Sequence, residues 1–221
     1  MTATSITINA GARKVSGLLI VPPRSSICYV FAHGAGAGMA HKSMAAIAEG
    51  LSDRGIATLR FNFPYMESGS KHPDAPAVAH AAVRAAVTFA SGQLPSHKLF
   101  AGGKSFGGRM TSQAQAAVPL TGVRGLIFFG FPLHPAGKPS ADRAQHLADV
   151  QVPMLFLQGT RDALADLELL RPVTKKLGAR ATLSLIEDAD HSFHVPAKLE
   201  RKDAQVMAEV LDTARDWMSA H

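Results

Sequence analysis

The sequence predicts an α/β fold: a mostly parallel, doubly wound sheet of about seven or eight strands with helices on both faces. Two observations predict it. From residue 27 to the end of the chain, short apolar runs alternate with longer segments of helical periodicity. The runs "YVFA", "LIFF" and "MLFL" are apolar throughout, as expected of central strands that are covered on both faces.

The elements follow one another in a regular order. "SITINA" and "SGLLIVPP", joined by the turn "GARK", predict an antiparallel strand pair at the N-terminus. The later predicted strands are "ICYVFAH", "IATLRFNF", "HKLFAGG", "VRGLIFFGF", "VPMLFLQG" and "ATLSLIED", and helical stretches separate them. The proline-rich segment "FPLHPAGKPS" is predicted to be a loop, and "ADRAQHLADV" after it a helix. This region has room for a minimal cap or none over the sheet edge.

Length and composition predict a single domain over residues 1–221. A chain of 221 residues, 47% of them hydrophobic, can bury one substantial core, and it contains no linker or fixed-period repeat. The apolar runs are shorter than the roughly 18 residues of a membrane span. The first residues, "MTATSITINAGARKV", lack the order of a secretory signal. We therefore expect a cytoplasmic protein that has no membrane partner.

The net charge of +6 raises the question of nucleic-acid binding. The basic residues are scattered, however, and they are not interleaved with aromatic residues, which make up 6% of the chain. We expect no nucleic-acid partner and no cofactor, and the sequence predicts no particular oligomeric state. The expected partner is a small-molecule substrate, and the positive charge would favour anionic molecules.

The segment Gly103-Lys104-Ser105-Phe106-Gly107 lies between a predicted strand and a predicted helix. A phosphate-binding loop of the Walker type would need a glycine where Lys98 stands, so that interpretation fails. The segment instead fits G-x-S-x-G, in which glycines allow a sharp turn that exposes a nucleophilic serine. The alternative is a glycine-rich turn in which Ser105 only caps the helix.

A nucleophilic serine needs a base and a group that orients the base. Asp162 follows the apolar run "MLFLQG", and His191 follows "ATLSLIED". Each therefore comes at the carboxyl end of a predicted strand, and Ser105, Asp162 and His191 occur in the order expected for this arrangement. Asp166 is the alternative acid, and His194 is the alternative base.

A metal site is the other interpretation of this region, since H-x-x-H with nearby carboxylates is compatible with zinc. Its ligands would be Asp188, Asp190, His191 and His194. No helical frame supports their spacing, and a metal site would leave the serine unexplained. We therefore expect no metal.

The segment "AHGAGAGM" follows the first central strand and predicts an oxyanion-binding loop. We assign the two amide donors to Phe106 and Ala35, with Gly34 or Gly36 as alternatives to Ala35. A dinucleotide-binding G-x-G-x-x-G is excluded because Met39 stands where the third glycine is needed.

Four further residues are candidates for substrate contacts. Lys104, next to the nucleophile, is either a contact for a substrate carboxylate or a solvent-facing lysine. Phe63, Tyr65 and Met66 follow another predicted strand, where they would form an apolar wall of the pocket or pack in the core.

The motifs "FAHGAGAG", "GGKSFGG", "LQGTRD" and "DADHSF" together resemble those of α/β-hydrolases, in particular the small, lid-poor group similar to dienelactone hydrolases and related carboxylesterases. The resemblance extends from about Ser16 to the last helix. It implies a serine hydrolase that cleaves an ester or thioester of a small substrate through an acyl-enzyme. Dienelactone hydrolases proper carry cysteine where this chain has Ser105. The alternative function is a non-catalytic binding or scaffolding protein that retains the fold.

Overall fold

The computed structural model describes residues 2–221 and contains one eight-stranded sheet. Its strands are β1 Thr4–Ala10, β2 Arg13–Ile20, β3 Ile27–Ala32, β4 Ile56–Phe61, β5 Lys98–Lys104, β6 Val123–Phe129, β7 Met154–Gly159 and β8 Ala181–Ile186. Their order is β1-β2-β4-β3-β5-β6-β7-β8. β2 pairs antiparallel with both β1 and β4, and the remaining pairs are parallel. The predicted fold class is confirmed.

Helices cover both faces of the sheet. They are α1 Lys42–Ser52, α2 Pro64–Glu67, α3 Pro76–Gln93, α4 Phe106–Ala117, α5 Leu167–Leu177 and α6 Asp203–Ala220. One core contains buried residues of α3, α4 and α5, and the other contains those of α1 and α6. Within residues 2–221, no helix is both long enough and apolar enough to cross a membrane.

The central strands are buried on both faces because each side of the sheet has its own core. Every residue of β3, β4 and β7 is buried. In β3, Cys28 and Val30 belong to the core that contains α3, whereas Tyr29 and Phe31 belong to the core that contains α1. This is the two-residue alternation of a strand, and both of its faces are shielded from solvent.

Two elements differ from the prediction. Residues Pro64–Glu67 form the short helix α2 within a segment that the sequence indicated only as a wall. Asp142–Asp149, predicted as a helix, is a 3-10 helix whose buried residues are Ala144 and Leu147. Their three-residue spacing fits the period of a 3-10 helix, in which side chains three apart align. This short element lies above α4, and no larger cap is present in residues 130–153.

Gly102 in β5 lies tightly against residues of the neighbouring strands β6 and β3. Its φ is +152°, and a Cβ atom there would lie 1.9 Å from the Ile127 carbonyl oxygen and 2.8 Å from the Tyr29 hydroxyl. We expect Gly102→Ala to lower the free energy of unfolding by about 3 kcal/mol or more, because backbone has to move. Urea denaturation measures it. Gly92→Ala is the control, because its Cβ would meet nothing within 4 Å on α3. A Gly102→Ala protein as stable as this control would contradict the prediction.

Candidate active site

Ser105 occupies the turn between β5 and α4 in a strained conformation, with φ 51° and ψ −119°. The chain turns tightly against β3: a Cβ at Gly103 would lie 2.5 Å from the Ala32 carbonyl oxygen, and one at Gly107 would lie 2.4 Å from it. Both positions therefore require glycine. The Ser105 side chain makes no capping hydrogen bond to α4. The helix-cap alternative is thus not what the structure shows.

Asp162 follows β7, and its side chain is fully buried. Its Oδ2 accepts hydrogen bonds from His191 Nδ1 at 2.6 Å and from Gln158 Nε2 at 2.5 Å. Its Oδ1 accepts from the Leu164 N–H at 2.8 Å. A carboxylate that accepts three hydrogen bonds is held in one orientation, and its charge is stabilised without exposure to water.

His191 lies in the loop after β8 and packs against Gly130, where a Cβ atom would come 3.2 Å from the imidazole ring. The Asp162 carboxylate can only accept a hydrogen bond, so His191 Nδ1 must be the donor and carries the proton. His191 Nε2 therefore has a free lone pair. Nε2 is buried and has no hydrogen-bond partner among the described residues. Ser105 and His191 line the same cavity.

The alternative acid and base have other partners. Asp166 Oδ1 caps α5 by accepting from the Glu168 N–H at 2.9 Å. His194 is exposed, and its Nδ1 is 2.6 Å from Asp203 Oδ2 near the start of α6. The buried Asp162 carboxylate therefore pairs with His191, and His191 lines the same cavity as Ser105.

The carboxylates of the suspected metal cluster lie in the loop after β8. Asp190 Oδ1 accepts from the Ser192 and His194 N–H groups at 2.7 and 2.9 Å, so it shapes the loop that carries His191. Within residues 2–221, no group of three or more His, Cys, Asp or Glu side chains is arranged to hold a metal ion.

The glycine-rich loop after β3 lies beside Ser105. A Cβ at Gly34 would be 3.7 Å from Ser105 Cβ. The Gly36 N–H donates to the Tyr65 hydroxyl at 3.3 Å, which removes it as a free donor. Among the turns, loops and helix caps of the described chain, no backbone carbonyl accepts a hydrogen bond from the N–H group of Ala35 or Phe106. Of the three loop candidates, Gly36 is thus excluded, and the amides of Ala35 and Gly34 remain.

His33 fixes this loop, as its position directly before the glycines indicates. Its Nδ1 donates to the Gly34 carbonyl oxygen at 2.8 Å, and its Nε2 accepts from the Phe63 N–H at 3.0 Å. Burial lowers the pKa of His33 to about 4. The ring is therefore neutral near pH 7, as its two hydrogen bonds require.

The expected apolar wall of Phe63, Tyr65 and Met66 is placed differently. None of the three lines the two cavities at Ser105. Phe63 and Tyr65 are buried, and their rings pack edge-on against His33. They turn inward because α2 begins directly after Phe63. They support the glycine loop from behind, so the core-packing alternative describes Phe63 and Tyr65.

Lys104 is partly buried and lines the cavity that contains His191. Its Nζ donates to the His191 carbonyl oxygen at 3.0 Å and lies 5.7 Å from the centroid of the Phe193 ring. Burial lowers the pKa of Lys104, while Asp162 and Asp190 act in the opposite direction. The side chain therefore ties the residue before Ser105 to the loop that carries His191.

We expect Lys104→Met to lower kcat about tenfold on an uncharged ester and to change KM little, because a loosened His191 loop misplaces the imidazole. Lys104→Arg should restore part of the loss. Lys175→Met on the exposed side of α5 is the control. Steady-state kinetics would contradict this positioning role if Lys104→Met raised KM and left kcat unchanged.

Two cavities meet at Ser105, and both are lined by Ala35, Ser105 and Leu164. The first has a volume of about 750 Å³ and also contains His191, Lys104 and residues of α1. The second has a volume of about 430 Å³ and extends along α4 towards the 3-10 helix. Ser105 thus lies at the junction of two spaces that could each hold one half of a substrate.

Solved structures with the same architecture include hydrolases from several bacteria. Dienelactone hydrolase from Anabaena variabilis shares 20% identity and a TM-score of 0.79, with 100% of this chain and 98% of that chain covered. A serine hydrolase without a lid from Xanthomonas campestris shares 22% identity and a TM-score of 0.75, with coverages of 98% and 95%. Est1E from Butyrivibrio proteoclasticus, with ferulic acid bound, shares 16% identity and a TM-score of 0.75, with coverages of 97% and 99%.

A Mycobacterium tuberculosis protein, provisionally named a phosphoribosyl transferase, is 28% identical over 220 residues. The match covers 98% of this chain and 46% of that protein, so the chain spans about half the length of this curated relative. The sequence profile of the alpha/beta hydrolase domain matches residues 25–219. The resemblance seen in the motifs is confirmed, and the chain belongs to the α/β-hydrolase family.

Proposed function

We propose that this protein is a serine hydrolase that cleaves a carboxylic ester or thioester of a small substrate through an acyl-enzyme. The observation that carries the proposal is the hydrogen bond of His191 to the buried Asp162 carboxylate, which leaves the His191 Nε2 unpartnered in a cavity shared with the strained Ser105. A base with a fixed tautomer and a presented serine are the two requirements of nucleophilic acyl transfer.

The reaction proceeds in two steps. His191 Nε2 takes the Ser105 proton as Oγ attacks the carbonyl carbon, and the N–H groups of Ala35 and Phe106 hold the oxyanion. The intermediate then collapses, the bond to the leaving oxygen or sulfur breaks, and His191 returns the proton to that atom. Water, deprotonated by His191, then attacks the acyl carbonyl carbon. The bond from that carbon to Ser105 Oγ breaks, His191 returns the proton to Oγ, and the acid leaves. Asp162 stabilises the imidazolium in both steps.

The comparisons support a small ester substrate. Est1E and an esterase domain from Rhodothermus marinus share this fold, and the Xanthomonas campestris hydrolase is described as lacking a lid. Here too the segment after β6 carries only a short 3-10 helix. Small or exposed acyl groups fit such an open site better than long buried chains. The proposed partner is a small molecule, with neither nucleic acid nor a membrane.

A fluorophosphonate probe tests the proposal because it forms a covalent bond only with an activated serine. We expect stoichiometric labelling of the unmodified protein, measured by intact-mass spectrometry, and none of the Ser105→Ala or His191→Ala proteins. A p-nitrophenyl ester series of increasing chain length then defines the acyl preference. Folded protein that neither labels nor hydrolyses any ester would overturn the proposal and favour the binding or scaffolding alternative.

A further inference from the structure

Two arginines line the second cavity, and neither has an anionic partner. Among the described residues, no Asp or Glu oxygen lies within 4 Å of the guanidinium of Arg109 or Arg143. Arg109 Nε is also buried without a hydrogen-bond acceptor. A buried donor on a charged group is costly to leave unpaired, so this site is incomplete without an acceptor.

The position of Arg109 relative to Ser105 is fixed by the helix. Arg109 lies one turn along α4, and its N–H donates to the Ser105 carbonyl oxygen at 3.2 Å. Its guanidinium carbon is 5.8 Å from the centroid of the Phe106 ring. The side chain therefore projects along the cavity that begins at Ser105.

Arg143 approaches from the 3-10 helix on the other side of the cavity. Arg109 and Arg143 thus line the same cavity. Burial, and then the charge of Arg143, lowers the pKa of Arg109. Burial, and secondly the charge of Arg109, lowers the pKa of His146 to about 4. The imidazole of His146 is therefore neutral near pH 7. Two guanidinium groups that line one cavity without a counter-ion form an anion-binding arrangement.

Asp74 is the acidic residue among those that line this cavity. Its Oδ2 accepts from the Tyr65 N–H at 2.8 Å, and its Oδ1 lies 3.9 Å from Arg13. Its carboxylate is thus held by groups at the start of α2 and on β2. The Asp74 carboxylate is therefore not paired with Arg109 or Arg143, and both guanidinium groups remain available to a ligand.

The proposed reaction decides which half of the substrate reaches these arginines. His191 must return its proton to the leaving atom, so the leaving group lies on the His191 side of Ser105. His191 lines the first cavity and not the second. The acyl group therefore extends into the second cavity.

We propose that the second cavity binds an anionic group at the far end of the acyl chain, through the guanidinium groups of Arg109 and Arg143. This inference rests on the proposed function and narrows it: the preferred substrates are esters or thioesters of acids that carry a second, negatively charged group. A carboxylate or a phosphate would satisfy the same paired donors.

Two p-nitrophenyl esters with the same leaving group test the proposal: the monoester of adipic acid, which is anionic, and its neutral methyl ester. We expect kcat/KM to be about tenfold higher for the anionic ester, as expected when charged hydrogen bonds form. Arg109→Gln and Arg143→Gln should each bring this ratio close to one. Arg171→Gln, on the exposed side of α5, removes the same charge far away and should leave the ratio unchanged.

A binding measurement separates this inference from the proposed function. Calorimetry on Ser105→Ala protein should show the adipate monoester binding about tenfold more tightly than its methyl ester, with the difference lost in Ser105→Ala/Arg143→Gln. Arg143 is half-exposed on the 3-10 helix, so this variant serves if Arg109→Gln does not fold. Equal affinities and equal kcat/KM for the two esters would overturn the anion site. Arginine-dependent binding without labelling or turnover would overturn the proposed hydrolysis instead.

Discussion

Ser105→Ala should lower kcat for a short p-nitrophenyl ester by about 10⁵-fold or more, the largest loss expected of any single substitution here. Ser105 Oγ is the atom that forms the bond of the acyl-enzyme, and no neighbouring group can replace it at this strained turn. The amides of Ala35 and Phe106 would remain, so some rate above that of the uncatalysed reaction should persist.

Burst kinetics and steady-state turnover on the purified variant measure this effect. Ser43→Ala is a matched control, since Ser43 lines the same cavity from the start of α1 and hydrogen-bonds to His41. The control should turn over within about twofold of the unmodified protein, as expected for a substitution outside the reacting groups. Ser105→Ala protein with turnover close to that of the control would show that the proposed nucleophile is wrong.

The sequence predicts candidate site residues directly after its apolar strands. Apolar strands are recognisable, and the residue that follows each of them comes to one edge of a parallel sheet. Ser105, Asp162 and His191 all follow such strands, and the structure brings the last two into a hydrogen bond across 29 residues of sequence. The fold class thus followed from periodicity, whereas the candidate residues followed from the G-x-S-x-G motif and from their positions after apolar runs.

Contacts between distant segments of the chain could not be predicted in this way. Asp162 and Asp166 stand in the same turn, and only the structure shows that one meets His191 while the other caps α5. Lys104 was expected to contact substrate or solvent, yet it binds a carbonyl oxygen 87 residues away. Such contacts depend on how the loops fold over the sheet edge, which the local pattern of residues does not encode.

The inward turn of Phe63 and Tyr65 has a similar cause. These residues follow a central strand, as pocket residues often do, but Pro64 starts α2 directly and rotates both rings towards His33. Arg109, by contrast, is four residues after Ser105, so its place one helical turn beyond Ser105 could have been predicted from the sequence. Its lack of an anionic partner could not.

The hydrogen bonds to Asp162 make asparagine a poor substitute despite its similar shape. Asp162 accepts from Gln158 Nε2, from the Leu164 N–H and from His191 Nδ1. The amide of asparagine offers one accepting oxygen and must present its NH₂ to one of these donors. If it faces His191, Nδ1 must become the acceptor, and the imidazole proton moves to Nε2.

Asp162→Asn should therefore lower kcat by about 10⁴-fold, the loss expected when the base is held in the wrong tautomer. A histidine that carries its proton on Nε2 has no lone pair with which to take the proton of Ser105. Asp166→Asn is the control, because asparagine caps a helix about as well as aspartate does. Steady-state kinetics with a p-nitrophenyl ester should show the control within about twofold of the unmodified protein. Equal losses of kcat in the two variants would show that Asp162 does not orient the base. Its hydrogen bond to His191 would then only stabilise the loop.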